Sequence, residues 1–357
     1  MAMSDGPVIV VSDTHFGFES ESKVRFGNFL QWLSTSDRKI LTINGEKILE
    51  APSKIILFGD ILEYWAPRNG DASLALKESF DPFNLLFALT PEIIYISGNH
   101  DHLIGSYEDD YVFENRRLLV RSDHYPDDLS TKPGKKYKGE QIGDKTYFFL
   151  HGHQLDFFRF SAVLRFGDFM GQNIAMSRNA KRSTWFGAVL LVFSVLAALL
   201  TNRLPALFKR LAGLLQSESL LSFPVTVVLL LWGFFVFLGV LWVFGVLARA
   251  YYEYTRHLGQ IRYRSKSSQR IDVQQLILKH YYKAEKDTID ADIIVFGHTH
   301  VPEVSPADAY GTHKRFINSG SWIKYSDRRF DTFVYIDRGG PLLLQWDDGK
   351  RSVREIN

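Results

Sequence analysis

Five short runs of consecutive apolar, β-favouring residues punctuate the chain: Val8–Val11, Ile55–Phe58, Ile93–Ile96, Tyr147–Leu150 and Ile293–Phe296. Runs of this length predict the strands of an α/β sheet. Helical spacing is predicted over Val24–Leu33, Ser73–Leu89 and Ile271–Glu285. Hairpin turns are expected at Asn44-Gly45, joining Ile40–Ile43 to Glu46–Leu49, and at Gly143-Asp144. Further strands are expected around Phe316–Ile317, Thr332–Ile336 and Leu342–Trp346.

Two longer apolar stretches break this pattern. No charged residue occurs in the 20 positions Ser183–Asn202 or in the 30 positions Ser219–Ala248. About 20 apolar residues suffice to cross the ~30 Å hydrocarbon core of a bilayer. The runs 185–201 and 225–248 therefore predict a transmembrane hairpin, against the plainer alternative of buried helices in a large core. Trp185, Trp232 and Trp242 suit interface positions, with Trp232 also fitting mid-span. Eight basic residues flank the pair (Arg178, Lys181, Arg182, Arg249, Arg256, Arg262, Arg264 and Lys266), against three in the loop between them. The positive-inside rule then predicts an integral membrane protein with its other parts on the cytoplasmic face. The expected organisation is a first catalytic segment, 1–156, an inserted helical lid and hairpin, 157–282, and a second catalytic segment, 283–357.

Composition removes whole classes of function. The 357 residues include no cysteine, which excludes disulfide scaffolds, thiolate metal sites and Cys nucleophiles. A metal would have to be held by the 11 histidines and by Asp, Asn and Glu. Lys and Arg total 42 against 40 Asp and Glu, a net charge of +2, so no nucleic-acid partner is expected.

Each of the five runs ends in chemistry. Val11 is followed by Ser12-Asp13-Thr14-His15, Phe58 by Gly59-Asp60, and Ile96, through Ser97, by Gly98-Asn99-His100-Asp101. Leu150 is followed by His151-Gly152-His153 and Phe296 by Gly297-His298-Thr299-His300. Sites in open α/β sheets form at the carboxyl ends of strands, where five such ends can converge. Asp13/His15 and His298/His300 are spaced i, i+2, which on an extended chain directs both side chains the same way. One metal could take both, or two neighbouring metals one each. Taken singly, Gly-Asp reads as a turn and Asn-His-Asp as a helix cap; the ordered set of five does not.

At these residues the sequence resembles the calcineurin-like metallophosphoesterase superfamily. The resemblance spans about 7–156 and 283–357 and implies an α/β (α+β) fold, a four-layer αββα sandwich. Within it, Gly59-Asp60-Ile61-Leu62-Glu63-Tyr64-Trp65 and Asp101-His102-Leu103-Ile104-Gly105 look most like UDP-2,3-diacylglucosamine diphosphatases, whose helical lid occupies the same slot as the insert. That family carries Arg in place of His100 and His-Gly-Asp in place of His151-Gly152-His153.

The resemblance implies two divalent cations. Asp13, His15, Asp60 and His300 would hold the first; Asp60, Asn99, His151 and His298 the second, with Asp60 bridging. His153 could replace His151 or support it, and His151 is preferred. Imidazole with oxygen ligands suits Mn²⁺, with Fe and Zn²⁺ as alternatives. Such a pair would supply a nucleophile from water and clamp phosphoryl oxygens. His100 is expected to protonate or stabilise the leaving oxygen, with Asp101 orienting it. Glu63 is a weaker candidate for supporting the ligands or touching substrate. Arg178, Arg182, Arg262, Arg264 and Lys266 are expected to meet the substrate's phosphate or, equally, lipid headgroups. The expected activity is hydrolysis of a phosphate ester or diphosphate of a lipid-linked substrate at the membrane. The alternatives are an anchored phosphodiesterase or phosphatase for a soluble nucleotide or phosphoprotein, and a non-catalytic membrane scaffold. The oligomeric state is left open, a homodimer included.

Overall fold

The computed structural model describes residues 6–64, 67–126, 136–153, 274, 277, 288–309, 312–324 and 328–356. In chain order the first half contains β1 (Val8–Val11), α1 (Ser20–Leu33), β2 (Lys39–Thr42), β3 (Gly45–Ile48), β4 (Lys54–Phe58), α2 (Ser73–Leu89), β5 (Glu92–Ile96), α3 (His102–Gly105), β6 (Asp109–Phe113) and β7 (Arg116–Arg121). There follow β8 (His124–Tyr125), β9 (Lys136–Lys138), β10 (Glu140–Ile142), β11 (Lys145–Leu150), β12 (Thr288–Asp290) and β13 (Ile293–Phe296). The chain closes with β14 (Glu303–Ala309), β15 (Thr312–Asn318), β16 (Thr332–Asp337), β17 (Gly340–Asp347) and β18 (Ser352–Glu355).

Two sheets carry the fold. The larger runs β3-β2-β18-β17-β16-β1-β4-β5-β7-β6, and the smaller β10-β11-β13-β15-β14 with β8 beside β11. Strands β1, β4, β5 and β7 are mutually parallel, as are β11, β13 and β15. The antiparallel strands β16 and β10 border these parallel groups.

The apolar runs are continuous because each strand feeds two cores. Val8 and Val10 of β1, Ile56 and Phe58 of β4 and Ile94 and Ile96 of β5 meet Tyr147, Phe149, Ile293 and Val295 between the sheets. The intervening Ile9, Val11, Ile55, Leu57, Ile93 and Tyr95 pack with Phe26, Phe29 and Leu30 of α1 and Leu86 of α2. On the smaller sheet, Phe148, Leu150, Ile294 and Phe296 face away from the larger sheet, into a third cluster with Ile277. Strands buried on both faces have no polar positions to alternate with, hence the unbroken runs.

The chain is thus a mixed α/β, sheet-dominated fold. The predicted helix over 73–89 spans Ser73–Leu89, and that over 24–33 begins earlier, at Ser20. Of the third expected helix, only Gln274 and Ile277 are described, both helical. The insert 157–282, with its spans 185–201 and 225–248, otherwise lies outside the described residues.

The expectation of an integral membrane protein facing the cytoplasm is corrected. Among the described residues no helix is long and apolar enough to cross a membrane. The longest of them, α2, has 17 residues and carries Lys77, Glu78 and Asp81. At 1.5 Å per residue it reaches only ~25 Å, short of a ~30 Å hydrocarbon core.

Candidate metal centre

The five motifs converge where the carboxyl ends of β1, β4 and β5 meet those of β11 and β13. Backbone bonds splice the loops together. Asp13 N donates to Gly59 O at 3.0 Å, His15 N to Asp60 O at 2.9 Å, and Gly297 N to His151 O at 3.2 Å. The two sheets are tied at the site itself, where His298 N donates to Asp13 Oδ2 at 3.2 Å.

Of the three groups of ligand atoms drawn within 4.8 Å among the described residues, His15, Glu63 and His100 are already joined by hydrogen bonds through Glu63; the other two are Asp13, His15 and His300, and Asp60, His151 and His298. His300 Nε2 lies 3.3 Å from Asp13 Oδ1, and His151 Nε2 lies 3.2 Å from Asp60 Oδ2. His15 Nε2 stands 3.8 Å from both Asp13 Oδ1 and Asp60 Oδ2, so it faces both groups. Asp60 Oδ1 accepts the His100 N–H at 2.8 Å.

The spacing argument reached this convergence by the wrong route. Asp13 and His15 share a group, but β1 ends at Val11 and both have left-handed backbones, with φ of 52° and 45°. His298 and His300 fall one in each group, the division that the resemblance implied. Asp60, His298 and His300 are left-handed too, at 54°, 70° and 62°. Side-chain-bearing residues in that region cost of order 1–3 kcal/mol each, and surrounding structure must hold them. Two glycines make room. A Cβ on Gly59, itself at φ 72°, would overlap the His151 ring, and one on Gly98 would overlap the Asp60 carboxylate.

The donor set fits divalent metal. Asp13 Oδ1, His15 Nε2, Asn99 Oδ1 and both ring nitrogens of His151 are buried with no hydrogen-bond partner. Such atoms are costly unless they serve a ligand. Electrostatics point the same way. Burial would lower the His15 pKa, but the Asp13 carboxylate 3.8 Å away, the hydrogen bond to Glu63 and the charge of Asp60 push it up to about 10. Burial would raise Asp13 and Asp60, yet neighbouring imidazoles hold both carboxyls well below the usual range. The pocket attracts positive charge, and its imidazole and oxygen ligands suit Mn²⁺, Fe or Zn²⁺.

Glu63 has a larger part than its sequence signal suggested. It is 1% exposed, and one carboxylate joins two imidazoles. Oε2 lies 2.8 Å from His15 Nδ1 and 2.7 Å from His100 Nδ1. Each Nδ1–H is thereby directed to Glu63, which leaves His15 Nε2 toward the ligands and His100 Nε2 3.9 Å from Asp60 Oδ2. Burial would raise the Glu63 carboxyl, but His100 and His15 hold it well below its ordinary range.

Asp101 does not orient His100, and that expectation is corrected. Its Oδ2 accepts from Ile61 N (2.7 Å), Leu62 N (3.2 Å) and Tyr95 OH (2.6 Å), and its Oδ1 from Gly98 N (2.6 Å). The aspartate ties the Gly59 and Gly98 loops together behind the ligands. Its short side chain is consumed by four donors, whereas the longer Glu63 reaches the ring.

His153 is partly buried, its ring centroid 5.3 Å from that of His151, and it joins neither ligand group. Arg178, Arg182, Arg262, Arg264 and Lys266 lie outside the described residues. Support that sequence reasoning missed comes from Ser319, whose Oγ is 2.6 Å from Ser12 Oγ, beside Asn318, whose Nδ2 donates to Thr299 Oγ1. The polar run Asn318-Ser319-Gly320-Ser321 after an apolar strand was the available signal.

Residues 6–185 match the family model described as calcineurin-like phosphoesterase. No curated protein sequence matches the chain. Among solved structures, a single mutant of Vps29 from Entamoeba histolytica aligns at 13% identity and a TM-score of 0.31, covering 98% of this chain and 99% of that one. Wild-type Vps29 complexed with zinc, from the same organism, aligns at 12% identity and a TM-score of 0.32, covering 98% of each chain. At those scores the likeness decides nothing about this site.

Proposed function

This chain belongs to the calcineurin-like phosphoesterase family, and on that premise we propose that it is a dinuclear-metal hydrolase of phosphate esters or diphosphates. The observation that carries this reading is the pair of ligand groups, Asp13/His15/His300 and Asp60/His151/His298, gathered from four strand ends. In this reading Asn99, whose amide oxygen is buried without a hydrogen-bond partner, joins the second group, and Asp60 serves both, as the resemblance implies. Bound Mn²⁺, Fe or Zn²⁺ would supply Lewis acidity toward the phosphoryl oxygens and lower the pKa of water.

The remaining steps belong to the chain's own residues. With both ring nitrogens protonated and Nδ1–H held by Glu63, His100 would deliver the Nε2 proton to the leaving oxygen and be left as the neutral Nδ1–H ring. Glu63 keeps the Nδ1–H groups of that ring and of His15 directed to itself and away from the ligand atoms. Asp101 holds the loops that carry Asp60 and Asn99.

For the substrate, the reading is a lipid-linked phosphate or diphosphate. It rests on the likeness of residues 59–65 and 101–105 to UDP-2,3-diacylglucosamine diphosphatases.

The test is hydrolysis by the purified full chain, stripped with chelator and reloaded with Mn²⁺. Substrates are bis(p-nitrophenyl) phosphate, UDP-diacylglucosamine in mixed micelles, soluble nucleotides and a phosphopeptide. Metal-dependent cleavage lost in Asp60→Ala supports the hydrolase. Rapid cleavage of soluble nucleotides with none of the lipid substrate removes the lipid assignment and leaves the chemistry. No metal-dependent cleavage of any substrate sinks the enzyme reading in favour of a scaffold.

A further inference from the structure

Asp13 sits at φ 52°, a backbone conformation that its own Cβ disfavours, so its neighbours must hold it. Its N–H is taken by Gly59 O at 3.0 Å, and its carbonyl accepts the Trp322 N–H at 3.1 Å. Trp322 is itself gripped from helix α1. Its carbonyl accepts Arg25 Nη2 at 2.7 Å, and Arg25 Nε donates to Asp331 Oδ2 at 2.9 Å. The Trp322 ring is fully buried, edge-on to Phe26 at 4.8 Å between centroids and tilted against Phe29 at 5.1 Å. Asp331 closes the circuit through its backbone, donating to Ser321 O at 3.0 Å and accepting from Trp346 N at 2.9 Å.

The Arg25 and Asp331 side chains are 8% and 9% exposed. A buried ion pair adds little net stability, because desolvation offsets the attraction. Its position suggests another use. One guanidinium serves a backbone carbonyl and a carboxylate through different N–H groups in a planar fork, which a lysine ammonium does not reproduce. Through Trp322, that fork fixes the carbonyl of a metal-ligand residue on a strained backbone.

We propose that Arg25 is a positioning residue for the metal centre. Acting through Trp322, it sets the Asp13 backbone and so the affinity of the Asp13/His15/His300 group for a divalent cation. This inference rests on the metal-site reading above and adds to it a residue on α1 that touches no ligand side chain.

The test is calorimetric titration of the chelator-stripped full chain with Mn²⁺, which does not depend on any substrate. Two binding events are expected for the wild type. Arg25→Lys should weaken one of them about 10-fold, the lower bound for residues supporting metal ligands, and leave the other and the circular dichroism unchanged. In an Asp13→Asn background, Arg25→Lys should change nothing further. Asp331→Asn, which keeps an acceptor for Arg25 but removes its charge, should weaken the same event by less, and it decides the matter if Arg25→Lys does not fold. Equal weakening of both events, or no weakening in either variant, overturns the proposal. A wild type that binds no Mn²⁺ overturns the metal-site reading instead.

Discussion

Strand β4 has buried charge at both ends, and the two ends treat it oppositely. At its start, Lys54 is 6% exposed, bonded to Glu140 across the sheets and 3.0 Å from Glu92 Oε1. Glu92 in turn meets Arg117 at 2.9 Å. Burial would depress the Lys54 pKa, but Glu140, with Glu92, holds it above its ordinary value. Just past the end of β4, Asp60 gathers imidazoles and another carboxylate around atoms that have no hydrogen-bond partner. Charge at the first end is matched within the protein, as stability requires. At the second it is left for something the protein does not itself contain. Incomplete satisfaction of buried polar atoms is costly, so its concentration at one end of one strand marks the functional end.

Breaking the functional end should have the largest effect on activity. Asp60→Ala should lower kcat/KM by about 10³-fold, corresponding to several kcal/mol of metal-derived stabilisation, while circular dichroism stays unchanged. Breaking the matched end should do the reverse. Lys54→Met should destabilise the fold by about 3 kcal/mol in urea titration, because it strands the half-buried Glu140 carboxylate while Glu92 keeps Arg117, with activity of the folded protein retained. The double variant Lys54→Met/Glu140→Leu should recover much of that loss, because the unmatched charge goes with it. Glu63→Gln should have a smaller effect, about 10–100-fold on activity, since it disturbs the two imidazoles without removing a ligand.

A separate effect, on stability rather than activity, is a slope with pH. The His15 pKa rises in the fold from 6.5 to about 10, so the folded state holds its proton more tightly than the unfolded chain does. That contribution is complete below about pH 6.5 and is lost as pH rises through about 10. Chelator-treated protein should therefore lose stability toward alkaline pH. Saturating Mn²⁺ should flatten the slope, because the metal takes the place of the proton. An unchanged slope with metal bound would remove His15 from the ligand set.

Much of the frame was legible along the chain. Strands β1, β4, β5, β11 and β13 announced themselves because burial on both faces leaves no room for polar residues. The 73–89 helix was equally plain. Strands β6 and β7 were not, because β6 is an edge strand with an exposed burial pattern and both carry charged residues that mask a strand signal. The roles of Glu63 and Asp101 were read in the wrong order of importance. Their separation in sequence says nothing about which carboxylate reaches the His100 ring, and only side-chain length and loop placement settle it. Arg25 carried no signal in its own window, because its partner Asp331 lies 306 residues away.

The amino-acid sequence alone determined the inventory: which strands lie inside, which polar residues follow them, and that any metal must be held without thiolate. Those are properties of local composition and order, and they survive any arrangement of the strands. The tertiary structure decided the pairing. It set Asp13, His15, Asp60, His298 and His300 on left-handed backbones, put Glu63 rather than Asp101 against His100, and tied Asp13 through Trp322 to a helix arginine. These depend on left-handed backbones at the ligands and on contacts between residues hundreds of positions apart. Neither is encoded in any local window, because only the packed sheets supply the forces that hold them.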